Sequence, residues 1–309
     1  MPGWNDLLAE VSSSGSTHDV VRRKYLAKLN RLTGRNTIVY YSGWLQKAAL
    51  VRQGFAGFEL NDSDKNGFMA TIHKLDRSKG LDLILHTPGG DMAATESLVD
   101  YLRSMFGTDI RAIVPQIAMS AGTMVALACK TVVMGKHSSL GPIDPQVAGI
   151  PAHGIIEEFA RARDEIVANN AAIPLWQPII AKYSPTLIGE CQKAIDWSRT
   201  MVNQWMANGM FVGEADALAR AKKVVDELGD HALTLSHSRH VSIDQAKALG
   251  IQVTDLESDP KLQDAVLSVH HACIQTLDAT NAYKIIENHR GVAFIQQVRQ
   301  ALIGVSMGG

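Results

Sequence analysis

The sequence predicts an α/β fold with a largely parallel sheet, and three observations lead there. Short apolar runs at Leu81–His86, Ile110–Val114 and Thr131–Met134 have the length and β-branched content of buried strands. The segments between them carry helical periodicity, so each strand returns to the next through a crossover. Beyond about residue 150 these runs give way to long helical patterns, which predicts a helical C-terminal half.

Taken in order, residues 1–35 are polar, contain Ser12-Ser13-Ser14-Gly15-Ser16 and carry a basic helical segment from Val21 to Leu29. They read as an N-terminal arm suited to docking on a neighbouring subunit. The first strand is expected over Asn36 to Tyr41, followed by a helix from about Asp64 to Asp76 and then the Leu81 strand. In the helix expected from Met92 to Phe106, residues Met92, Thr95, Leu98, Val99, Leu102 and Met105 fall on one face. Asp91 is placed to cap it. Strand Ile110–Val114, a helix from Ser120 to Cys129 and strand Thr131–Met134 continue the alternation. Further helices are expected at 154–168, 185–207, 214–228, 242–249, 261–277 and 283–302. With no repeat and no Pro/Gly/Ser-rich linker, 36–309 reads as one domain, sheet-rich over 36–150 and mostly helical over 151–309.

Composition narrows the function. The 309 residues are 46% apolar, and 30 basic against 31 acidic residues leave a net charge of -1, so no global field favours nucleic acid or anionic membrane. The first ten residues carry Asp6 and Glu10 and lack a long apolar stretch, unlike a secretory signal. The run Ile117–Cys129 is too short to cross a bilayer. Cys129, Cys191 and Cys273 have no metal-binding or redox spacing, which points to a reducing cytoplasm. No P-loop pattern is present, and neither metal nor cofactor is expected. His270, His271 and His289 fall in C-terminal helical patterns, while His231, His237 and His240 sit in a polar connection; none has the partners of a zinc site. Trp176, Trp197 and Trp205 read as core or subunit-contact residues.

Two motifs carry chemistry. The Leu81 strand breaks at Thr87-Pro88-Gly89-Gly90, and the Ile110 strand leads to Ala118-Met119-Ser120-Ala121-Gly122. Acyl transfer needs a nucleophile beside fixed N–H donors for the oxyanion. The glycine pair offers backbone that a substrate carbonyl can approach closely. A serine at the start of a helix has free amides beside it and the positive end of the helix dipole.

Strand, Thr-Pro-Gly-Gly-Asp, helix, strand, Ala-Met-Ser-Ala-Gly, helix, strand and Ser-Ser-Leu-Gly-Pro-Ile-Asp-Pro together resemble the ClpP and signal-peptide-peptidase superfamily of serine proteases. Thr37-Ile-Val-Tyr-Tyr-Ser-Gly-Trp and Lys284-Ile-Ile-Glu-Asn-His are similar to flanking signatures of its serine dehydrogenase proteinase branch, so the resemblance spans most of the chain. It implies a crotonase-like core of repeated ββα units, an ATP-independent serine peptidase acting on peptides or proteins, and a homo-oligomer. It also implies Ser120 as nucleophile and the amides of Gly90 and Ala121, with Gly89 adjacent, as the oxyanion hole.

Two assignments of the base stand open. The ClpP branch uses a histidine in a motif that aligns with Leu140–Pro145, where this chain has none. The local histidine is His137, with Asp144 as orienter. The signal-peptide-peptidase branch uses a lysine before a long helix, a description that Lys182 fits, since Ser184 and Pro185 read as the N-cap and first position of the next helix. Lys193 lies further inside that helix. Ser139 resembles the hydroxyl that orients such a lysine. Two rival functions share the motifs: a crotonase-like acyl-CoA enzyme that stabilises an enolate, and a non-catalytic protein-binding scaffold.

Overall fold

The computed structural model describes residues 18–147, 149–229 and 239–298. Helix α1 (His18–Thr33) leads into strand β1 (Asn36–Ser42). A short helix α2 (Ala48–Arg52) and helix α3 (Asp64–Ile72) precede β2 (Leu81–His86). Helix α4 (Met92–Phe106) returns the chain to β3 (Ile110–Val114), and β4 (Ile117–Ala118) leads into α5 (Ala121–Leu127) and β5 (Thr131–Met134). Three two-residue strands follow, β6 (Ser139–Leu140), β7 (Gln146–Val147) and β8 (Ile150–Pro151). The helical part comprises α6 (Ala152–Ala168), α7 (Ile173–Ile180), α8 (Leu187–Ala207) and α9 (Ala217–Gly229). The chain ends with β9 (Val241–Ser242), α10 (Ile243–Leu249), β10 (Val253–Asp255), α11 (Pro260–Ala279) and the pair β11 (Ala282–Asn288) and β12 (Ala293–Gln297).

The central sheet runs β10-β5-β3-β2-β1-β11-β12. The first five strands are mutually parallel, whereas β11 pairs antiparallel with β1 and β12 antiparallel with β11. Alternate residues of each strand feed two separate cores. Ile38 and Tyr40, Leu83 and Leu85, Ala112 and Val114, and Val132 and Met134 face one layer, which includes α3, α4, α5, α8 and α9. Val39, Tyr41, Ile84, Ile113 and Val133 face the other, built from α1 and α11. Both faces are thus covered, which explains why these strands read as continuous apolar runs.

Two expectations differ. From residue 18 the expected arm is a helix whose Val21, Tyr25, Leu26 and Leu29 are buried against α11 of the same chain. The segment expected to be helical over 283–302 instead forms β11 and β12 as far as residue 297, joined by a turn in which the Asn288 side chain accepts from the amides of Arg290 and Val292. His289 therefore sits in a turn rather than a helix, while His231 and His237 lie outside the described residues. Among the described residues no helix is long and apolar enough to cross a membrane.

Candidate active site

The chain leaving β2 and the chain leaving β3 run side by side for one step. Met119 donates its amide to the Thr87 carbonyl (3.1 Å), and Thr87 donates to the Ile117 carbonyl (3.2 Å). Beyond this bridge Gly89 stands against Ser120, and both open on one cleft. Such an opening, outside the carboxyl ends of parallel strands, is where open α/β sheets bind ligands.

Ser120 caps α5 with φ 50° and ψ -117°. Among the described residues only Lys74 and Ser120 combine a side chain with positive φ. This conformation costs on the order of 1–3 kcal/mol and persists only where the surroundings enforce it. Here they do. The Ser120 carbonyl accepts from the Met124 amide (3.0 Å), and Gly122 donates back to Met119 (2.7 Å). The Thr123 hydroxyl donates to the Ala118 carbonyl (2.8 Å) and accepts from the Gly141 amide (2.8 Å). The expected helix from Ser120 to Cys129 is thereby shortened to Ala121–Leu127, and the serine stands on a bend before it.

Opposite the serine, Gly89 takes φ +109°, and a Cβ there would lie 2.6 Å from the Ser120 Cβ and 3.2 Å from the Ala121 nitrogen. The Gly-Gly and Ser motifs therefore abut. At Gly90 the chain is bridged to Leu60: the Leu60 amide donates to Gly89 (2.8 Å) and the Leu60 carbonyl accepts from Asp91 (2.9 Å). In a parallel bridge of this kind the middle residue's own N–H points away from its partner. Neither the Gly90 nor the Ala121 amide has a hydrogen-bond acceptor among the described residues. The Asp91 carboxylate caps α4 through the Ala94 amide (2.8 Å).

Ser120, Gly89, Gly90 and Ala121 all line a cleft of about 530 Å³. Its further walls are Glu59, Pro88, Asp91, Met92, Met124, Gln146 and Trp197 among others, so among the described residues the lining carries carboxylates but no Lys, Arg or His. Glu59 and Gln146 had no sequence signal and reach the cleft from an aperiodic loop and the two-residue β7, whereas Trp197, expected in the core or a subunit contact, stands partly exposed in the middle of α8 and lines the cleft.

The candidate bases stand elsewhere. Lys182 is exposed in the turn between α7 and α8, its amide bonded to Ile179 (3.2 Å), and Lys193 is exposed on α8 beside Glu190. α8 begins at Leu187 with Thr186 as its cap, two residues beyond the expected Ser184-Pro185 start. His137 is half exposed after β5, with Nδ1 4.0 Å from a Glu257 oxygen. Asp144 is buried next to Pro145, and Ser139 lies on β6 between Ile117 and Ser242. None of these five residues lines the cleft.

The chain is similar to two uncharacterized proteins of Methanocaldococcus jannaschii. One is 28% identical over 62% of this chain and 57% of its own length; the other is 37% identical over 30% of this chain and 32% of its own. The chain thus spans less than two thirds of the curated relatives it matches. Over residues 19–261, a stretch holding both motifs and the cleft, it matches the ClpP-like SDH-type serine proteinases and belongs to that family.

Proposed function

We propose that this chain is a serine peptidase, ATP-independent by itself, that cleaves peptide bonds through an acyl-enzyme on Ser120. The observation that carries the reading is the serine itself, held at positive φ in a cleft beside two unpaired amides. A side chain kept there at a cost in backbone strain fits a nucleophile better than a packing residue. The Ser120 oxygen attacks the substrate carbonyl carbon, and the amides of Gly90 and Ala121 hold the resulting oxyanion. A neutral amine takes the hydroxyl proton, returns it to the leaving amine, and then deprotonates the water that releases the acyl group.

Lys182 is the proposed base, supported by its place in the turn before α8, and His137 with Asp144 is the alternative. Because Lys182 is exposed, the dyad forms when that turn is packed over a cleft, and we propose a homo-oligomer as the setting. Ser139 is proposed to orient the lysine. Three buried free thiols fit action in a reducing cytoplasm. The acyl-CoA alternative is disfavoured because a cleft lined by Glu59 and Asp91, with no basic side chain among the described residues, is a poor match for the phosphates of that cofactor.

A fluorophosphonate probe tests the reading. Wild-type protein is expected to label at Ser120, Ser120→Ala to stay unlabelled, and Lys182→Met to label much more slowly. A folded wild type that stays unlabelled sinks the peptidase; full-rate labelling of Lys182→Met sinks the lysine.

A further inference from the structure

Residues 59–61 are gripped from two sides. Toward the cleft, Leu60 bonds the backbone on both sides of Gly90, to Gly89 at 2.8 Å and to Asp91 at 2.9 Å. Away from it, Lys284 Nζ donates to the Glu59 carbonyl (2.9 Å), and the Asn61 amide donates to Asp64 Oδ2 (3.1 Å). Lys284 of β11 and Asp64 of α3 form an ion pair in which Nζ lies 2.9 Å from both carboxylate oxygens. The Tyr40 hydroxyl of β1 donates to the same carboxylate (2.8 Å). All three side chains are fully buried, and none lines the cleft.

A buried ion pair is a poor choice where stability alone is wanted, because well-packed hydrocarbon of similar volume is often as stable or more so. Hydrocarbon cannot fix one carbonyl and one amide at a defined separation, and this cluster does so at Glu59 and Asn61. The residue between them is the one that orients Gly90. A Cβ on Gly90 would lie 2.3 Å from both the nitrogen and the oxygen of Leu60, so the two strands are in direct backbone contact and a shift of one moves the other.

We propose that the Lys284, Asp64 and Tyr40 cluster is a positioning device for the oxyanion hole, holding residues 59–61 so that the Gly90 amide is aimed at the carbonyl oxygen of a substrate on Ser120. The inference rests on the acyl-enzyme reading above. Its three members come from β11, α3 and β1, so the C-terminal hairpin is coupled to the reaction centre without touching substrate.

The test compares acylation by a matched pair of activated substrates, an oxygen ester and its thionoester, whose sulfur accepts hydrogen bonds from oxyanion donors poorly. In Asp64→Asn and Lys284→Met the ester-to-thionoester rate ratio is expected to fall about tenfold through the ester rate. In the milder Tyr40→Phe it is expected to fall about threefold. A loss of folded protein lowers both rates alike and leaves the ratio intact. Should the first two variants not fold, Tyr40→Phe decides alone. A wild-type ratio in every variant that folds overturns the positioning role. A wild type that neither ester nor fluorophosphonate acylates removes the peptidase reading, and this proposal with it.

Discussion

Gly89 and Ser120 touch so closely that no side chain fits at position 89: the Cβ of an alanine would fall 2.6 Å from the Ser120 Cβ and 2.9 Å from the Met119 carbonyl oxygen. The φ of +109° at Gly89 adds a conformational penalty for any L side chain. Gly89→Ala is therefore expected to push the two motifs apart. Acylation should fall at least about a hundredfold, the scale of losing one oxyanion donor, with a stability loss of about 1–3 kcal/mol. Fluorophosphonate kinetics and urea denaturation measure the two, and near-normal acylation would show that the motifs need not abut.

The strain at Ser120 separates two variants that both lack its hydroxyl. Both Ser120→Ala and Ser120→Gly lack the proposed nucleophile, but only glycine adopts φ 50° and ψ -117° without penalty. The glycine variant is expected to be the more stable by about 1 kcal/mol, a melting difference of roughly 2 °C. Equal melting temperatures would mean that the bend stores no strain and would remove the main support for a nucleophile there.

Much of this site was legible in the sequence because it rests on local chemistry. Pro88-Gly89-Gly90 reads as a break, Asp91 as a cap, and the one-face apolar pattern of 92–106 gives α4 to the residue. The C-terminal hairpin was not legible. In β11 the adjacent Ile285 and Ile286 face different cores, and the charged Lys284 and Glu287 are buried in ion pairs, so the alternation that marks a half-exposed strand is absent. Lys284 read from the chain is the first residue of a family-like signature with no partner in sight; its ion pair with Asp64 appears only once β11 lies beside β1. The bridge from Leu60 to Gly90 was hidden for a similar reason, since a single pair of backbone bonds leaves no periodic trace. Lys182 shows the opposite limit, because proximity to a helix start says nothing about which surface that turn meets.

The packing of α1 gives a further prediction. The guanidinium of Arg22 is fully buried and hydrogen-bonded to Glu287 of β11, with Thr276 (3.1 Å) and Asp19 (2.7 Å) as further partners. Arg23, partly exposed, holds the other Glu287 oxygen at 2.8 Å. Arg22→Met leaves a buried carboxylate with one partner, at an expected cost of about 3–5 kcal/mol. Arg22→Met combined with Glu287→Gln should regain part of that loss, since the orphaned charge goes with its partner. Additive losses in urea denaturation would contradict the pairing.

Acid should destabilise the protein through the imidazoles packed at the end of β2. His86, the last residue of β2, is fully buried between Trp44 and Tyr41, with ring centroids at 4.6 and 5.3 Å, and neither ring nitrogen has a hydrogen-bond partner among the described residues. Burial pushes its pKa down to about 3. His270, whose ring lies 5.6 Å from that of His86 and whose Nδ1 contacts the Tyr41 hydroxyl, is also pushed down by burial, with the nearby histidines adding to the effect. A histidine depressed in this way is neutral when folded and takes up a proton when unfolded. Its contribution is therefore complete above the unfolded value of about 6.5 and is lost as the pH falls toward the folded value, at up to about 1.4 kcal/mol per pH unit for each group. His86→Phe keeps the stacking on Trp44 and removes one of these protons. At pH 7 it should be at least as stable as the wild type, because it also deletes an unsatisfied buried N–H. Between pH 6 and pH 4 its unfolding free energy should decline less steeply, by about 1.4 kcal/mol per unit. Parallel pH profiles for the two proteins would mean that His86 has a proton acceptor in solution that these contacts lack.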